Sequence, residues 1–189
     1  NPLTVQSSIK SFFKGIYFPA PKDAFITNAS SVKELNTIVV YGNRVVTVEN
    51  LTSFHDYPDK EDFVIYLGGF HNRTKRKFLK ALYEQNPNKQ YRHFGDIDAG
   101  GFYILEHLKM RTGIPFKSLY MNVDMLEKYH AQTKTLTQND RKRIENLLDK
   151  LEEMCHKHEL SEDYREVLVY MLENNCKLEQ EILFAQWFI

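Results

Sequence analysis

The amino-acid sequence predicts an α/β domain: a parallel sheet of about four strands flanked by helices, with a helical C-terminal part. Two observations lead to this prediction. Between residues 44 and 121, short β-branched runs alternate with segments whose apolar residues recur at helical spacing, the pattern of β-α-β units. After residue 137, apolar stripes at helical spacing follow one another without further β-branched runs.

The elements of the α/β part follow from local sequence. Arg44–Glu49 and Asp62–Leu67 are β-branched runs closed by Asn50 and by the pair Gly68–Gly69, so each predicts a strand. Because helices of ten or more residues separate the later strands, we expect parallel pairing with right-handed crossovers. The remaining predicted elements, in chain order, are a helix at Thr74–Gln85, a strand at Gln90–Gly95, a helix at Ala99–Met110 and a short strand at Ser118–Met121.

The last third of the sequence predicts three helices. Thr137 and Asp140 form a capping pair at the start of the first helix, and the second begins at about Ser161. Each helix has an apolar stripe that faces the core. The stripes are Ile144, Leu147, Leu148, Leu151 and Met154 in the first helix, Tyr164, Val167, Leu168, Met171 and Leu172 in the second, and Leu178, Ile182, Leu183 and Phe184 in the third.

The first 43 residues have a less regular pattern. Short helices are predicted at Ser8–Phe13 and Ser31–Thr37, with Pro19 and Pro21 breaking any pattern between them. We therefore divide the chain into a lead-in segment at residues 1–43, expected to be the end of an upstream domain, and a main domain at residues 44–189.

Composition restricts the class of protein. The chain has 189 residues, of which 42% are apolar, enough for a continuous core. The 25 basic and 25 acidic residues balance, so no whole-chain attraction to nucleic acid is expected. Its two cysteines lack the spacing of a disulfide framework or a zinc site, and its apolar runs are too short for a membrane span. A cytoplasmic protein without membrane partners is the default expectation.

Three carboxylates at predicted strand ends are the main candidates for chemistry. Glu49 ends the first strand, Asp96 follows the third, and Asp98 comes two residues later, where an extended backbone sends alternate side chains the same way. Ligand sites of parallel sheets lie beyond the carboxyl ends of the strands. Neighbouring carboxylates repel each other unless a cation lies between them, and Mg²⁺ prefers such ligands. The pattern predicts a hard-metal site. The alternatives are that Asp98 only caps the next helix and that Glu49 is an ordinary exposed strand end.

Two further features suggest contacts with phosphate. Gly100 and Gly101 open a predicted helix, where backbone amides can approach an anion closely. The basic run Arg73–Lys77 follows a glycine turn, so that Arg73 and Lys75 can reach DNA phosphates near the acids. The alternative for this run is a solvated helix face.

Three motifs, in this order, resemble those of a known family: Thr47-Val-Glu-Asn-Leu51, Tyr66-Leu-Gly-Gly-Phe-His-Asn-Arg73 and His93-Phe-Gly-Asp-Ile-Asp-Ala-Gly-Gly-Phe102. They are similar to Toprim domains, which have a Rossmann-like sheet. More narrowly, they resemble the carboxy-terminal domain of JetD, the nuclease subunit of Wadjet anti-plasmid defence systems and a relative of topoisomerase VI A subunits. Further matches are Met121-Asn-Val-Asp-Met-Leu-Glu-Lys-Tyr129, Leu136-Thr137 and Leu178-Glu-Gln-Glu-Ile182. One departure is Ala99, where the family often has proline; either residue suits a first helical turn.

The resemblance implies a set of metal ligands. In such proteins a glutamate and a DxD pair hold divalent metal at a phosphodiester, which corresponds here to Glu49, Asp96 and Asp98 with Mg²⁺ or Mn²⁺ as the cofactor. It also suggests that Glu179 or Glu181 folds back to the acids as an extra ligand, the alternative being an exposed helical face. Glu49 is either a ligand or a proton carrier.

The resemblance further implies a metal-dependent DNA endonuclease that hydrolyses phosphodiester bonds. His71 and Asn72, in the loop before the basic run, then contact the scissile phosphate. The implied partners are closed circular plasmid DNA, a condensin-like ATPase complex and a second nuclease subunit in a homodimer. Two alternatives stay open: a transesterase of the topoisomerase VI kind, and an inactive DNA-binding module. Because no tyrosine adjoins the acid motifs, we predict hydrolysis that leaves a free 3′-hydroxyl.

Overall fold

A computed structural model gives the fold of residues 3–6, 9–13, 16–19, 24–27, 35–59, 61–69, 71, 73–156 and 164–183. The strands are β1 (Leu3–Gln6), β2 (Ile9–Phe13), β3 (Ile16–Pro19), β4 (Ala24–Thr27), β5 (Leu35–Val40), β6 (Arg44–Val48), β7 (Phe63–Tyr66), β8 (Gln90–Phe94), β9 (Lys117–Ser118), β10 (Lys134–Thr135) and β11 (Cys176–Lys177). The helices are α1 (Leu51–His55), α2 (Arg73–Gln85), α3 (Ala99–Thr112), α4 (Val123–Lys128), α5 (Gln138–His156) and α6 (Arg165–Asn174), with short 3-10 helices at His130–Gln132 and Gln180–Leu183.

The central sheet has six strands in the order β4-β1-β7-β6-β8-β9. The four strands β7, β6, β8 and β9 are parallel, and α2 and α3 form the crossovers from β7 to β8 and from β8 to β9. β1 extends this sheet by pairing antiparallel with β7, and β4 pairs antiparallel with β1. The predicted parallel sheet of four strands flanked by helices is therefore confirmed. Its fourth strand has only two residues, Lys117–Ser118, so the predicted strand at Ser118–Met121 is wrong for residues 119–121.

The amino-terminal residues form strands where the sequence predicts helices. Ile9–Phe13 is β2, so the helix expected at Ser8–Phe13 is wrong, and β2 pairs antiparallel with β3 and β5 in a second sheet. The helix expected at Ser31–Thr37 is wrong for residues 35–37, which belong to β5; residues 31–34, like Ser8, lie outside the described residues. The pairing of β2 with β5 joins segments far apart in sequence, which local spacing does not reveal. The division after residue 43 stays a prediction.

The core lies between the parallel strands and the helices. Val45, Val46 and Val48 of β6 are fully buried, as expected for a strand that is covered on both faces. α2 packs against α3, and α3 packs against α5. The predicted helices at 74–85 and 99–110 correspond to α2 and α3, with ends that differ by no more than two residues. The register pairs Val48 with Phe94, so that β6 and β8 end side by side.

The C-terminal part confirms two of the three predicted helices. The capping pair is formed at the start of α5: the Thr137 amide donates to Asp140 Oδ2 at 2.9 Å, and the Asp140 amide donates to Thr137 Oγ1 at 3.1 Å. α6 is the second helix. The third helix is wrong, because the chain after α6 forms β11, which pairs with β10, and then a 3-10 helix; Phe184 lies outside the described residues. None of the helices in the described part of the chain has the length and apolar character needed to cross a membrane.

Candidate metal centre

The three predicted acids lie at one end of the central sheet because two parallel strands end there together. The Glu49 amide donates to the Phe94 carbonyl at 3.0 Å, which extends the pairing of β6 and β8 by one residue. Glu49 therefore lies opposite Gly95, directly before Asp96. Asp98 follows at the start of α3. The structure thus brings Glu49, Asp96 and Asp98 together, although their roles stay predictions.

The Glu49 carboxyl group lies in a partly buried and strongly negative place. Burial, followed by the charges of Asp96 and Asp98, raises its pKa from 4.5 to about 7. The Asp96 amide donates to this carboxylate, which offsets part of the effect. Its Oε2 atom is buried and has no hydrogen-bonding partner among the described residues. A strand-end glutamate of this kind differs from an exposed surface residue, the alternative that the sequence left open.

Asp96 is the acid that contacts the C-terminal segment. Burial raises its pKa from 3.8 to about 6, with further contributions from Asp98, Glu179 and Glu181. The backbone amide of Gln180 donates to Asp96 Oδ1 at 2.7 Å, which stabilises the ionised form without outweighing burial. The two carboxyl groups have raised pKa values first because of burial and then because of neighbouring acids, so their ionised forms are unfavourable in this place.

Asp98 is the N-cap of α3, as in the alternative weighed from the sequence. Its Oδ1 accepts a hydrogen bond from the Gly101 amide at 2.8 Å. Gly101 is needed for packing, because a Cβ atom there would lie 2.2 Å from the Asp96 carbonyl oxygen. Gly100 is partly buried, and a Cβ atom there would lie 3.0 Å from Asp98 Oδ1. The Gly101 amide thus caps α3 through Asp98. Its contact with phosphate stays a prediction.

The C-terminal segment is attached to both strand ends through Gln180. This residue is fully buried; its Nε2 donates to the Phe94 carbonyl at 2.9 Å and its Oε1 accepts from the Asn50 amide at 2.9 Å. Asn50 Nδ2 also donates to Glu181 Oε1 at 2.5 Å. Ile97 and Leu178 form a β-bridge just before this segment. These contacts bring the segment back to the acids, which the sequence suggested only through the family resemblance.

Both glutamates of the segment reach the site, whereas one was expected. Carboxylate oxygens of Asp96, Glu179 and Glu181 lie within 4.8 Å of one another. Oxygen ligands at such spacing fit Mg²⁺ or Mn²⁺. Burial is the main reason that the pKa of Asp96 is raised, and a cation would relieve the repulsion from Asp98, Glu179 and Glu181 that adds to it. Lys134 Nζ contacts Glu179 Oε1 at 2.8 Å and compensates part of this charge. The residues present therefore fit a hard divalent cation.

The predicted DNA-contacting residues differ in exposure. Arg73 is exposed at the start of α2, as expected of a phosphate ligand. Lys75 is buried, its ammonium donates to the Leu67 carbonyl, and burial lowers its pKa, so it does not lie on a solvated helix face. His71 is buried too, with its Nε2 3.2 Å from His107 Nδ1. Burial and the neighbouring His107 lower the pKa of His71 to about 4. Asn72 lies outside the described residues.

Sequence reasoning missed two polar side chains beside the acids. Gln180 gave no signal of its own, because a glutamine between two glutamates is usually an exposed residue. His93 lies inside a strand pattern and is fully buried, and burial lowers its pKa to about 3. Thr47 and His93, each inside a predicted strand, were the available signal, since polar residues inside a buried parallel strand need a specific partner.

Comparison with known proteins identifies the family. A family model described as Wadjet protein JetD, C-terminal, matches residues 19–188. The Wadjet protein JetD of Bacillus cereus (strain Q1) is 28% identical over 157 residues, which are 81% of this chain and 36% of the relative. The chain thus spans little more than a third of the length of this curated relative. Because the family match covers nearly the whole sequence, the chain belongs to the family of JetD C-terminal domains.

Proposed function

We propose that this domain is a Toprim-type, divalent-metal-dependent DNA endonuclease that hydrolyses phosphodiester bonds in plasmid DNA as part of a Wadjet defence complex. The observation that carries the proposal is the group of carboxylates from two distant parts of the chain, with oxygens of Asp96, Glu179 and Glu181 within 4.8 Å of one another. Membership of the JetD family supports the biological context.

The proposed roles follow from the placement of each side chain. Asp96, Glu179, Glu181 and Asp98 are the candidate ligands of Mg²⁺ or Mn²⁺. When bound, such an ion would activate the attacking water and stabilise the leaving 3′-oxygen. Glu49, with a pKa of about 7 in the metal-free protein, can hold or release a proton near neutral pH, so it is either a ligand or the proton carrier.

DNA contacts are proposed on the side of α2. Exposed Arg73 is the strongest candidate for a phosphate contact, and His71, Asn72 and the amino end of α3 at Gly100 are further candidates. Since 25 basic and 25 acidic residues balance, we expect weak binding of linear DNA that falls steeply with salt. Recognition of closed circular DNA is therefore assigned to the rest of the complex: a condensin-like ATPase assembly and a second nuclease subunit.

Water is the proposed nucleophile, in preference to a tyrosine hydroxyl. Transesterification needs a tyrosine hydroxyl in line with the phosphorus, at about 3–3.5 Å. The Tyr57 hydroxyl donates to Asp62 Oδ2 at 2.7 Å, and the Tyr129 hydroxyl donates to the Leu183 carbonyl at 3.1 Å. The Tyr57 and Tyr129 hydroxyls are therefore engaged inside the protein, whereas Tyr41 is exposed. Hydrolysis is proposed because no tyrosine adjoins the acid motifs in the sequence.

The experiment is cleavage of plasmid DNA by the Wadjet complex with Mn²⁺ or EDTA, using end-labelled products. Asp98→Asn is the informative variant, because asparagine caps a helix as well as aspartate but lacks the charge. We expect loss of cleavage with the stability retained, and no effect of Asp124→Asn, which changes an exposed acid on α4. Cleavage that survives EDTA or Asp98→Asn would refute the metal site. Label that migrates with protein on a denaturing gel would favour the transesterase.

A further inference from the structure

Two buried polar atoms face the same side of Gly95. A Cβ atom on Gly95 would lie 2.7 Å from Glu49 Oε2 and 3.0 Å from His93 Nε2, so these two atoms are no farther apart than the sum of those distances. Neither atom has a hydrogen-bonding partner among the described residues. An unpartnered buried polar atom is unfavourable, and two such atoms on the same side of one glycine point to a shared purpose.

The strand register explains why they meet. Thr47 pairs with His93 in the parallel ladder of β6 and β8, so Glu49 lies opposite Gly95 on the same face two residues later. Because Gly95 has no side chain, the Glu49 carboxyl group can lie over it and extend back toward His93. The closeness of Glu49 and His93 therefore follows from the pairing of Thr47 and Glu49 on one strand with His93 and Gly95 on its neighbour.

Hydrogen bonding fixes which nitrogen of His93 carries the proton. Thr47 Oγ1 lies 3.2 Å from the Arg92 carbonyl, which can only accept, so the single hydroxyl proton goes there. Thr47 Oγ1 also lies 3.0 Å from His93 Nδ1 and must accept from it, which requires an Nδ1–H. The neutral ring then has its lone pair on Nε2, the atom on the side of Glu49.

We propose that His93 is a positioning residue, whose Nε2 lone pair disfavours negative charge on Glu49 Oε2 and leaves that charge to Oε1. Neither Oε2 nor His93 Nε2 has a hydrogen-bonding partner among the described residues that would offset this repulsion. Thr47 sets the direction of the effect by fixing the tautomer. This inference rests on the metal site of the proposed function.

The test compares the wild-type protein with two variants in two measurements that do not depend on DNA cleavage. Long-range ¹H–¹⁵N spectra report the tautomer of His93, and titration with Mn²⁺ reports metal affinity. In the wild-type protein we expect a protonated Nδ1 and an unprotonated Nε2. His93→Phe removes the lone pair, and Thr47→Val removes the acceptor that fixes the tautomer, so that Nε2–H can donate to Glu49 and draw its charge away from the metal.

The expected order of Mn²⁺ affinity is wild type, then His93→Phe, then Thr47→Val, with a total loss of about 10- to 100-fold. Urea unfolding of each variant measures the structural part of the loss, because Thr47→Val removes two hydrogen bonds of a buried hydroxyl and His93→Phe alters the packing of a buried ring. Loss of affinity in proportion to loss of stability would show a merely structural role. A protonated Nε2 in the wild-type protein overturns the inference even if His93→Phe fails to fold, and so does an absence of Mn²⁺ binding.

The outcome also separates the inference from the proposed function. If the tautomer and the order of affinities are as expected but the Wadjet complex cleaves no DNA under any metal, the proposed nuclease function fails and the positioning role stands. If Mn²⁺-dependent cleavage is observed with a protonated His93 Nε2, the proposed function stands and the positioning role fails.

Discussion

Replacing Glu49 with glutamine removes a charge that the metal-free protein holds unfavourably. The pKa of Glu49 is raised from 4.5 to about 7, first by burial and then by Asp96 and Asp98. At about 1.4 kcal/mol for each pKa unit, this rise corresponds to at most about 3 kcal/mol of destabilisation when Glu49 is ionised. We expect Glu49→Gln to stabilise the metal-free protein by about 1–3 kcal/mol at pH 8, because neighbouring acids relax when the charge is removed.

The pH dependence gives the sign of the effect. Since the pKa is higher in the folded than in the unfolded state, the contribution of Glu49 to stability is fully present below pH 4.5 and is lost as the pH rises through about 7. The amide of Glu49→Gln does not titrate. The variant should therefore match the wild type near pH 4.5 and exceed it above pH 7. Urea unfolding in EDTA at pH 4.5, 6 and 8 measures this difference.

Metal and a control variant make the test specific. Saturating Mn²⁺ should stabilise the wild type at pH 8 and should stabilise Glu49→Gln less, because the metal relieves the repulsion that the variant has already lost. Glu84→Gln, which changes an exposed acid on α2, should leave stability unchanged at every pH. If Glu49→Gln destabilises the metal-free protein at pH 8, or changes its stability equally at all pH values, the reasoning about a crowded acidic site is refuted.

Three further outcomes are expected. Gln180→Ala should destabilise the domain by about 1–3 kcal/mol and weaken Mn²⁺ binding, since it removes the hydrogen bonds of a buried side chain to the Asn50 amide and the Phe94 carbonyl; unchanged urea unfolding would contradict this. Gly101→Ala places a Cβ atom 2.2 Å from the Asp96 carbonyl oxygen, so it should cost about 1–3 kcal/mol and reduce Mn²⁺ affinity in calorimetry, whereas normal affinity would exclude the close contact. Burial opposes ionisation of Asp140, but the Lys177 ammonium and Thr137 outweigh it and lower the pKa to about 2. Asp140→Asn should therefore destabilise the protein above pH 3.8 by up to about 2 kcal/mol, and this effect should disappear as the pH falls through about 2. Thermal unfolding across this pH range measures the effect, and a destabilisation that does not depend on pH would contradict the prediction.

The parallel part of the fold was predictable because each of its elements has a local signal. β6 and β8 are β-branched or aromatic runs with clear ends, and α2 and α3 have apolar residues at helical spacing. The amino-terminal strands lacked such a signal, since β2 is stabilised by pairing with the distant β5. The expected third C-terminal helix failed for a similar reason: Leu178 pairs with Ile97 across the fold, and that contact overrides helical spacing.

The candidate site was predictable as far as strand ends determine it. Glu49 and Asp96 follow two parallel strands that end together, which sequence position alone implies. The position of Glu179 and Glu181 beside Asp96 depends on the side chain of Gln180. Its hydrogen-bonding partners are backbone groups elsewhere in the chain, which local sequence does not reveal. The burial of Lys75 was missed because a basic run winds around a helix, so that one of its members points inward.

The return of the C-terminal segment determines when the acidic site can form during folding. The hydrogen bond between the Asn50 amide and Gln180 Oε1 joins residues 130 positions apart, and that between the Gln180 amide and Asp96 joins residues 84 positions apart. Contacts of such separation require large loops to close and form late, after nearby strands and helices have paired. We therefore expect a partly folded chain to have its sheet before it has its full set of carboxylates, so that the proposed metal binding would appear only with the last docking step.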